Sequence, residues 1–297
     1  ISVLGCHLHH AHEYDGGGSG YGVRLEMKTG DCRVENNILH RLRHALLVQA
    51  GVNGNVFGYN YAFDAYSTSH GADSGDIVLH GNYVYANLFE GNICQHIWID
   101  DSHDGRNGPC NTLFRNRAER CGVNMTDSAA HGQTVVGNET FKGGLLIQVL
   151  AGDGWRLLGT NHFVHGNTTQ ADGLQPPGTG DLGDYSYYLD ADPTRPPAVP
   201  AFWTLADAIP TIGVPHALDP AKSIPARARW AAGAGWTVGP PSLARQPVSR
   251  SVAAGSPAVF EVEAYGTPAA RYAWRRNGEA LAGQTNSRLV LPRCRPG

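Results

Sequence analysis

Short runs of alternating apolar and polar residues recur through the first half of the chain. Because successive side chains of a β-strand point to opposite faces, the first, third and fifth residues of each run share one face. The first and third residues are apolar in every run, as is the fifth in VRLEM and LLIQV, so this face is predicted to point inward. The runs are VRLEM (23–27), ALLVQ (45–49), IVLHG (77–81), IWIDD (97–101), VNMTD (123–127) and LLIQV (145–149).

The fourth residue of each run is predicted to point outward. These residues would form one column across successive strands: Glu26, Val48, His80, Asp100, Thr126 and Gln148.

Six Asn residues follow short apolar segments at steps of 23, 32, 24, 22 and 23 residues: Asn37, Asn60, Asn92, Asn116, Asn138 and Asn161. A period of this size indicates stacked copies of one small unit, none of which can bury its apolar face alone. Asn accepts left-handed backbone angles and bonds neighbouring peptides, so stacked Asn side chains are expected to form a ladder. The pattern predicts an all-β parallel β-helix, a solenoid.

Composition narrows the function classes. The chain has 297 residues, a net charge of −3 and 16% charged residues without a basic stripe, which disfavours nucleic-acid binding. No apolar run approaches the ~20 residues of a membrane span. The six Cys residues show no CxxC spacing, which disfavours a zinc ribbon.

Three regions follow from the changes in pattern. We expect the β-helix to occupy residues 1–170 and an irregular Pro/Gly-rich segment to occupy 171–241 and pack on it. That segment would bury Tyr187, Tyr188, Phe202 and Trp203. Residues 242–297 would form a separate module. The chain opens on ISVLGCHLHH, a strand within a coil, which favours a fragment of a longer protein.

The last region carries QPVSRSVAAG (246–255), Trp274 within YAWRRNG, and GQTNSRLVL. These motifs resemble those of bacterial immunoglobulin-like modules, in which the Trp packs between two sheets. The usual Cys before the Trp and the last two strands are missing, so the resemblance implies a truncated Ig-like β-sandwich module.

Residues 1–230 carry HGNYVYANLFEGNI, IDDSHDG, NTLFRN and YSYYL…IPAR. Together these resemble bacterial secreted right-handed parallel β-helix proteins of the pectate-lyase-like superfamily. The resemblance implies an extracellular or cell-surface protein. It also implies a polysaccharide partner, bound in a groove on an outer sheet face.

The outward column is the predicted site. His80 and Asp100 occupy equivalent positions on consecutive coils, so their Cα atoms should lie ~4.8 Å apart. An exposed Trp98 beside them suits stacking on a sugar ring, and an Arg suits a carboxylate. The candidate catalytic residues are His80, Asp100 and His103; the candidate substrate-binding residues are Trp98, Arg106, Asp127 and Asn124.

Several reactions remain open at this site. A lyase or epimerase needs one group for the uronate carboxylate, one base and one acid, and Arg106 or Arg115 could meet the carboxylate. The DSHD element (101–104) resembles the DPHD of alginate epimerases, with Ser102 in place of Pro. A hydrolase needs paired carboxylates, and a calcium-dependent lyase a carboxylate cluster. The leading hypothesis is lyase-type cleavage of an acidic polysaccharide; its rival is a non-catalytic glycan-binding or adhesive protein.

HLHHAHEYD (7–15) could suggest a metal. On a strand His7 and His9 face one way and His10 and His12 the other, so one pair at most could share an ion. We favour a surface ladder and assign no metal site. The cofactor, with Ca²⁺ as one option, and the oligomeric state stay open.

Overall fold

The computed structural model describes residues 1–13, 18–66, 75–101, 105–125, 131–141, 144–150, 154–157, 161–187, 212–233, 242–245, 247–265 and 271–294. For residues 144–150, 154–157, 242–245 and 263–265 it describes the backbone alone. The described residues fall into two compact units, one within 1–233 and the other within 242–294. One helix, α1 (Pro225–Ala231), has seven residues. None of the helical segments in the described chain is long and apolar enough to cross a membrane.

A seven-stranded parallel sheet forms one wall of the first unit. Because each strand pairs with the equivalent strand one coil later, the chain winds as a β-solenoid. Numbered along the chain, its strands are β1 (Ser2–Leu4), β4 (Arg33–Glu35), β7 (Val56–Gly58), β10 (Leu88–Glu90), β12 (Thr112–Phe114), β14 (Thr134–Val136) and β18 (Phe163–His165).

A second, mainly parallel sheet of thirteen strands forms the rest of the wall. One path of strands consists of β2 (His7–His9), β5 (Ile38–His40), β8 (Tyr61–Phe63), β11 (Ile93–Ile99), β13 (Arg117–Met125), β15 (Glu139–Thr140), β19 (Asn167–Thr169) and β20 (Gly173–Gln175). The other path consists of β3 (Tyr21–Leu25), β6 (His44–Val48) and β9 (Ile77–Leu79), then β11 and β13, then β16 (Gly144–Leu150) and β17 (Gly154–Leu157).

The predicted inward face is confirmed in the coils of β9, β11 and β13, whose Ile77, Ile97 and Val123 pair in register and lie fully buried in one core. Two assignments are wrong. Met27 lies in a left-handed turn and is 75% exposed. In β6 the core-facing residues are Leu46 and Val48, which pair with Ile77 and Leu79, so Val48 does not belong to the outward column.

The Asn ladder is confirmed for five of its six predicted members. Each Asn Nδ2 donates to the Oδ1 of the Asn one coil later, from Asn37 through Asn138. The last step runs to Asn167, because the ladder position follows the first-sheet strand by two residues. Asn161 precedes that strand and is exposed.

Segments after residue 170 contact the solenoid. Leu182 and Val214 pack against Phe114 and Val136 in a second cluster. Arg115 Nη1 lies 3.0 Å from Asp184 Oδ1. Tyr187 contacts Phe114, with ring centroids 4.2 Å apart, yet it is 42% exposed, so the prediction that it is buried is wrong. Tyr188, Phe202 and Trp203 lie outside the described residues.

The second unit contains three antiparallel pairs. They are β21 (Ser242–Arg245) with β23 (Glu263–Tyr265), β22 (Ala258–Glu261) with β26 (Arg288–Leu291), and β24 (Arg275–Arg276) with β25 (Glu279–Ala280). Trp274 is half-buried, and its Nε1 donates to the Asn286 carbonyl at 2.8 Å.

Candidate functional site

His80 and Asp100 lie side by side at the ends of β9 and β11. The preceding residues, Leu79 and Ile99, pair in register, and His80 Nε2 is 3.9 Å from Asp100 Oδ2. The predicted adjacency is therefore present, but the predicted exposure is not. The side chain of Asp100 is 1% exposed and that of His80 13%, so the pair forms a nearly buried acid–imidazole contact.

The register places Glu26, Gln49, His80 and Asp100 in one column, because Leu25, Val48 and Leu79 pair across β3, β6 and β9. Gln49 takes the place predicted for Val48 and donates from Nε2 to Glu26 Oε2 at 3.0 Å. The column is thus polar throughout its described part.

The outer face beside this column is covered. Leu47 and Val78, which stand on this face in register with Trp98, are fully buried. Trp98 is half-buried and stacks on His96, with centroids 5.7 Å apart. A Cβ added to Gly75 would lie 3.3 Å from the Trp98 ring. The face around Trp98 is therefore covered, and the exposure that alternation predicted for it is wrong.

The other candidates divide into three groups. Asn124 pairs in register with Trp98 and is 8% exposed. Arg106 is exposed, whereas Arg115 is fully buried and paired with Asp184. His103 and Asp127 lie outside the described residues.

A second imidazole, not foreseen from the sequence, lies near the pair. The ring centroid of His44 lies 6.4 Å from that of His80, and its Nδ1 is 2.9 Å from the Gly75 carbonyl oxygen. Burial lowers the pKa of His44 to about 4. His44 is therefore neutral at pH 7 and adds no charge beside His80. The sequence signal that could have identified His44 is its position as the first residue of the otherwise apolar strand β6.

Asp76, the residue before β9, is an acid with a shifted pKa. Burial raises its pKa to about 7, although its Oδ2 accepts hydrogen bonds from the Gln95 and His96 backbone N–H groups. Perturbed groups of this kind concentrate at functional sites, although structural networks also produce them. Asp76, and His44 through its contact with the Gly75 carbonyl, thus place two groups with shifted pKa values at the start of β9, the strand that precedes His80.

An open cleft of about 540 Å³ lies along the turns that follow the column. Its volume falls within the ~300–1,000 Å³ typical of small-molecule sites. The lining residues come from three consecutive coils: Met27, Lys28, Ala50, Gly51, Asn53, Asn82, Tyr83 and Tyr85. Tyr83 is 60% exposed, and Asn82 follows His80 by two residues.

These turns hold left-handed backbone angles at bulky residues. The φ angles are 56° at Met27, 63° at Lys28 and 61° at Tyr83, conformations that cost free energy in residues other than Gly. Hydrogen bonds between coils fix them: Lys28 N donates to the Ala50 carbonyl at 2.8 Å, and Tyr83 N donates to the Arg106 carbonyl at 2.7 Å. The cleft is therefore preformed.

The His-rich segment near the N-terminus packs as an imidazole and aromatic cluster. The rings of His7 and His9 lie 4.4 Å apart, as alternation predicted for residues sharing a face. Trp230 of α1 lies 5.1 Å from His40 and 5.7 Å from His7. Across the residues with described positions, no group of three or more His, Cys, Asp or Glu could hold a metal ion.

Comparison of the chain with protein-family models, with curated proteins and with solved structures finds no match. The geometry of the site is therefore the basis on which a function can be assigned.

Proposed function

We propose that the first unit is a carbohydrate-active β-solenoid that binds an acidic polysaccharide and cleaves it by β-elimination. The observation that carries the proposal is the contact between His80 and Asp100 on consecutive coils, where His80 lies two residues before Asn82, which lines an open cleft. In this proposal the solenoid is right-handed and pectate-lyase-like, the protein is secreted, and residues 242–297 are a partial immunoglobulin-like module.

β-Elimination assigns a role to each group. His80 removes the proton on C5 of a uronate, the C4=C5 double bond forms, and the C4–O4 bond breaks while O4 takes a proton from solvent water. Asp100, whose Oδ2 lies 3.9 Å from His80 Nε2, orients the ring and stabilises the imidazolium. The exposed Arg106 supplies a cation for the substrate carboxylate.

The test is release of unsaturated, ultraviolet-absorbing products from pectate, alginate and related acidic glycans. We expect His80→Gln to lower the rate at least about tenfold, equivalent to ~1.4 kcal/mol in barrier, and to leave the circular dichroism spectrum unchanged. The matched control is His165→Gln, since His165 also pairs with an acid, Asp181, at 2.8 Å. Equal rates in wild type and His80→Gln would refute the role of His80.

One observation favours a second function, non-catalytic glycan binding or adhesion. Asp100 is 1% exposed and His80 13%, so the acid–imidazole pair presents little surface to a polymer. Under this alternative the chain retains acidic glycans in a binding assay and releases no product from any of them.

A further inference from the structure

The Tyr-lined cleft has a chemistry of its own. Of the residues that line it, Tyr83 and Tyr85 supply rings whose centroids are 5.5 Å apart with an interplanar angle of 56°. The planes of the two rings are thus inclined to each other, and both rings line the same cleft. The C–H face of a pyranose ring suits the negative face of an aromatic ring, and the exposed Tyr83 offers such a face.

Charge in the cleft has one sign. Among the described lining residues, Lys28 is the one that carries a charge. The nearest acid along the chain, Glu26, pairs with Arg24 and accepts the Gln49 amide, so its carboxylate is already engaged. A compact ammonium attracts an anion as a point charge, which favours an acidic sugar over a neutral one.

Backbone strain at this edge supports a binding role. Equivalent left-handed turns occur in all three coils that line the cleft, and Lys28 and Tyr83 stand one coil before and one coil after Gly51, which has φ 75°. Bulky residues occupy positions that Gly would occupy without strain. Because hydrogen bonds between coils hold these residues, little ordering is needed when a ligand binds.

We propose that this cleft is a uronate-binding subsite in which Tyr83 and Tyr85 hold one sugar ring and Lys28 pairs with its carboxylate. The inference rests on the acidic-glycan class of the proposed function but does not depend on cleavage. It adds Lys28, Tyr83 and Tyr85 to the ligand-binding residues. The backbone hydrogen bond between Tyr83 N and the Arg106 carbonyl places Arg106 one coil further along the same edge.

The test is titration calorimetry of the full chain carrying His80→Gln, which suppresses turnover, with oligogalacturonate and oligomannuronate and with a neutral cello-oligosaccharide. We expect Tyr83→Ala to weaken acidic-glycan binding at least about tenfold and Tyr83→Phe to retain it, because the ring supplies the contact. Lys28→Gln should weaken acidic-glycan binding and reduce the dependence of that binding on salt concentration. The exposed Tyr66 lies outside the cleft lining, so Tyr66→Ala is the matched control.

The outcomes separate the two proposals. Acidic glycans that bind Tyr83→Ala and Lys28→Gln as tightly as the parent would overturn the subsite, whatever the wild type cleaves. Neutral glycans that bind as tightly as acidic ones would also overturn it. Tyr83-dependent binding with no product from wild type would leave the subsite standing and refute cleavage. Absence of binding to every acidic glycan would overturn both.

Discussion

Removal of one ladder amide, Asn92→Ala, tests what holds the coils together. Asn92 is fully buried, and its side chain makes four hydrogen bonds. Its Oδ1 accepts from the backbone N and Nδ2 of Asn60 at 3.0 and 2.9 Å, and its Nδ2 donates to the Phe57 carbonyl and Asn116 Oδ1, both at 2.8 Å. Ala would remove these partners from polar groups that lie away from water.

The expected loss of stability can be worked out from the buried polar groups that lose their hydrogen-bond partner. A buried donor or acceptor without its partner costs about 1–3 kcal/mol. Because Asn92→Ala removes the Asn92 partner from the Asn60 N–H and the Phe57 carbonyl at once, we expect a loss of about 3–5 kcal/mol in the free energy of unfolding. Urea unfolding followed by far-ultraviolet circular dichroism measures the loss.

The matched control is Asn161→Gly. Asn161 is exposed, outside the ladder, and at φ 59°, an angle that Gly adopts freely, so its substitution should change stability by about 0.5 kcal/mol or less. If Asn92→Ala were no more destabilising than Asn161→Gly, the ladder would contribute no net stability and this reasoning would be refuted.

Two further substitutions test buried contacts between distant segments. Burial raises the pKa of Glu90 from 4.5 to about 7, so the wild type loses stability as pH rises between these values. The free energy of unfolding of Glu90→Gln should therefore rise relative to that of wild type by up to about 3 kcal/mol between pH 4.5 and 7, because a shift of 2.5 pKa units corresponds to ~1.36 kcal/mol per unit. A difference in unfolding free energy that does not change with pH would contradict this. A Cβ on Gly213 would lie 1.8 Å from the Gly137 carbonyl oxygen, whereas a Cβ on Gly233, which is also left-handed, would have nothing within 4 Å. Gly213→Ala should therefore lower the midpoint of thermal unfolding much more than Gly233→Ala does. Equal midpoints for the two variants would contradict this prediction.

The register of β6 shows where alternation stops being informative. Ala45, Leu46, Leu47 and Val48 are all at most 2% exposed, so both faces of this strand are apolar. Alternation then cannot show which of the two faces points to the core. Pairing with β9, which sets Val48 against Leu79, fixes the face instead, and that pairing is not encoded in the run itself.

A spacing of five residues identifies the ladder positions better than the apolar residues before each Asn. Asn55, Asn87, Asn111 and Gln133 precede the first-sheet strands and form a second amide ladder. Each lies five residues before an Asn of the first ladder. In the last coil, His162 takes the corresponding position, since its Nδ1 accepts the Gln133 N–H at 3.1 Å. A spacing of five residues from His162 leads to Asn167, which is the ladder residue, and not to Asn161.

The buried charges could not be predicted locally, because their partners lie far along the chain. Fully buried Arg117 bonds Glu139 Oε2 at 2.9 Å and the Asp219 and Lys222 carbonyls at 2.8 and 2.7 Å. The exposure of the candidate site residues could not be predicted locally for the same reason. Periodicity placed His80 beside Asp100, since that contact depends on the coil length, but exposure depends on what packs over the face. The cleft lies in the turns, where strand alternation carries no information, so the exposed Tyr83 could be identified only after the coils were stacked.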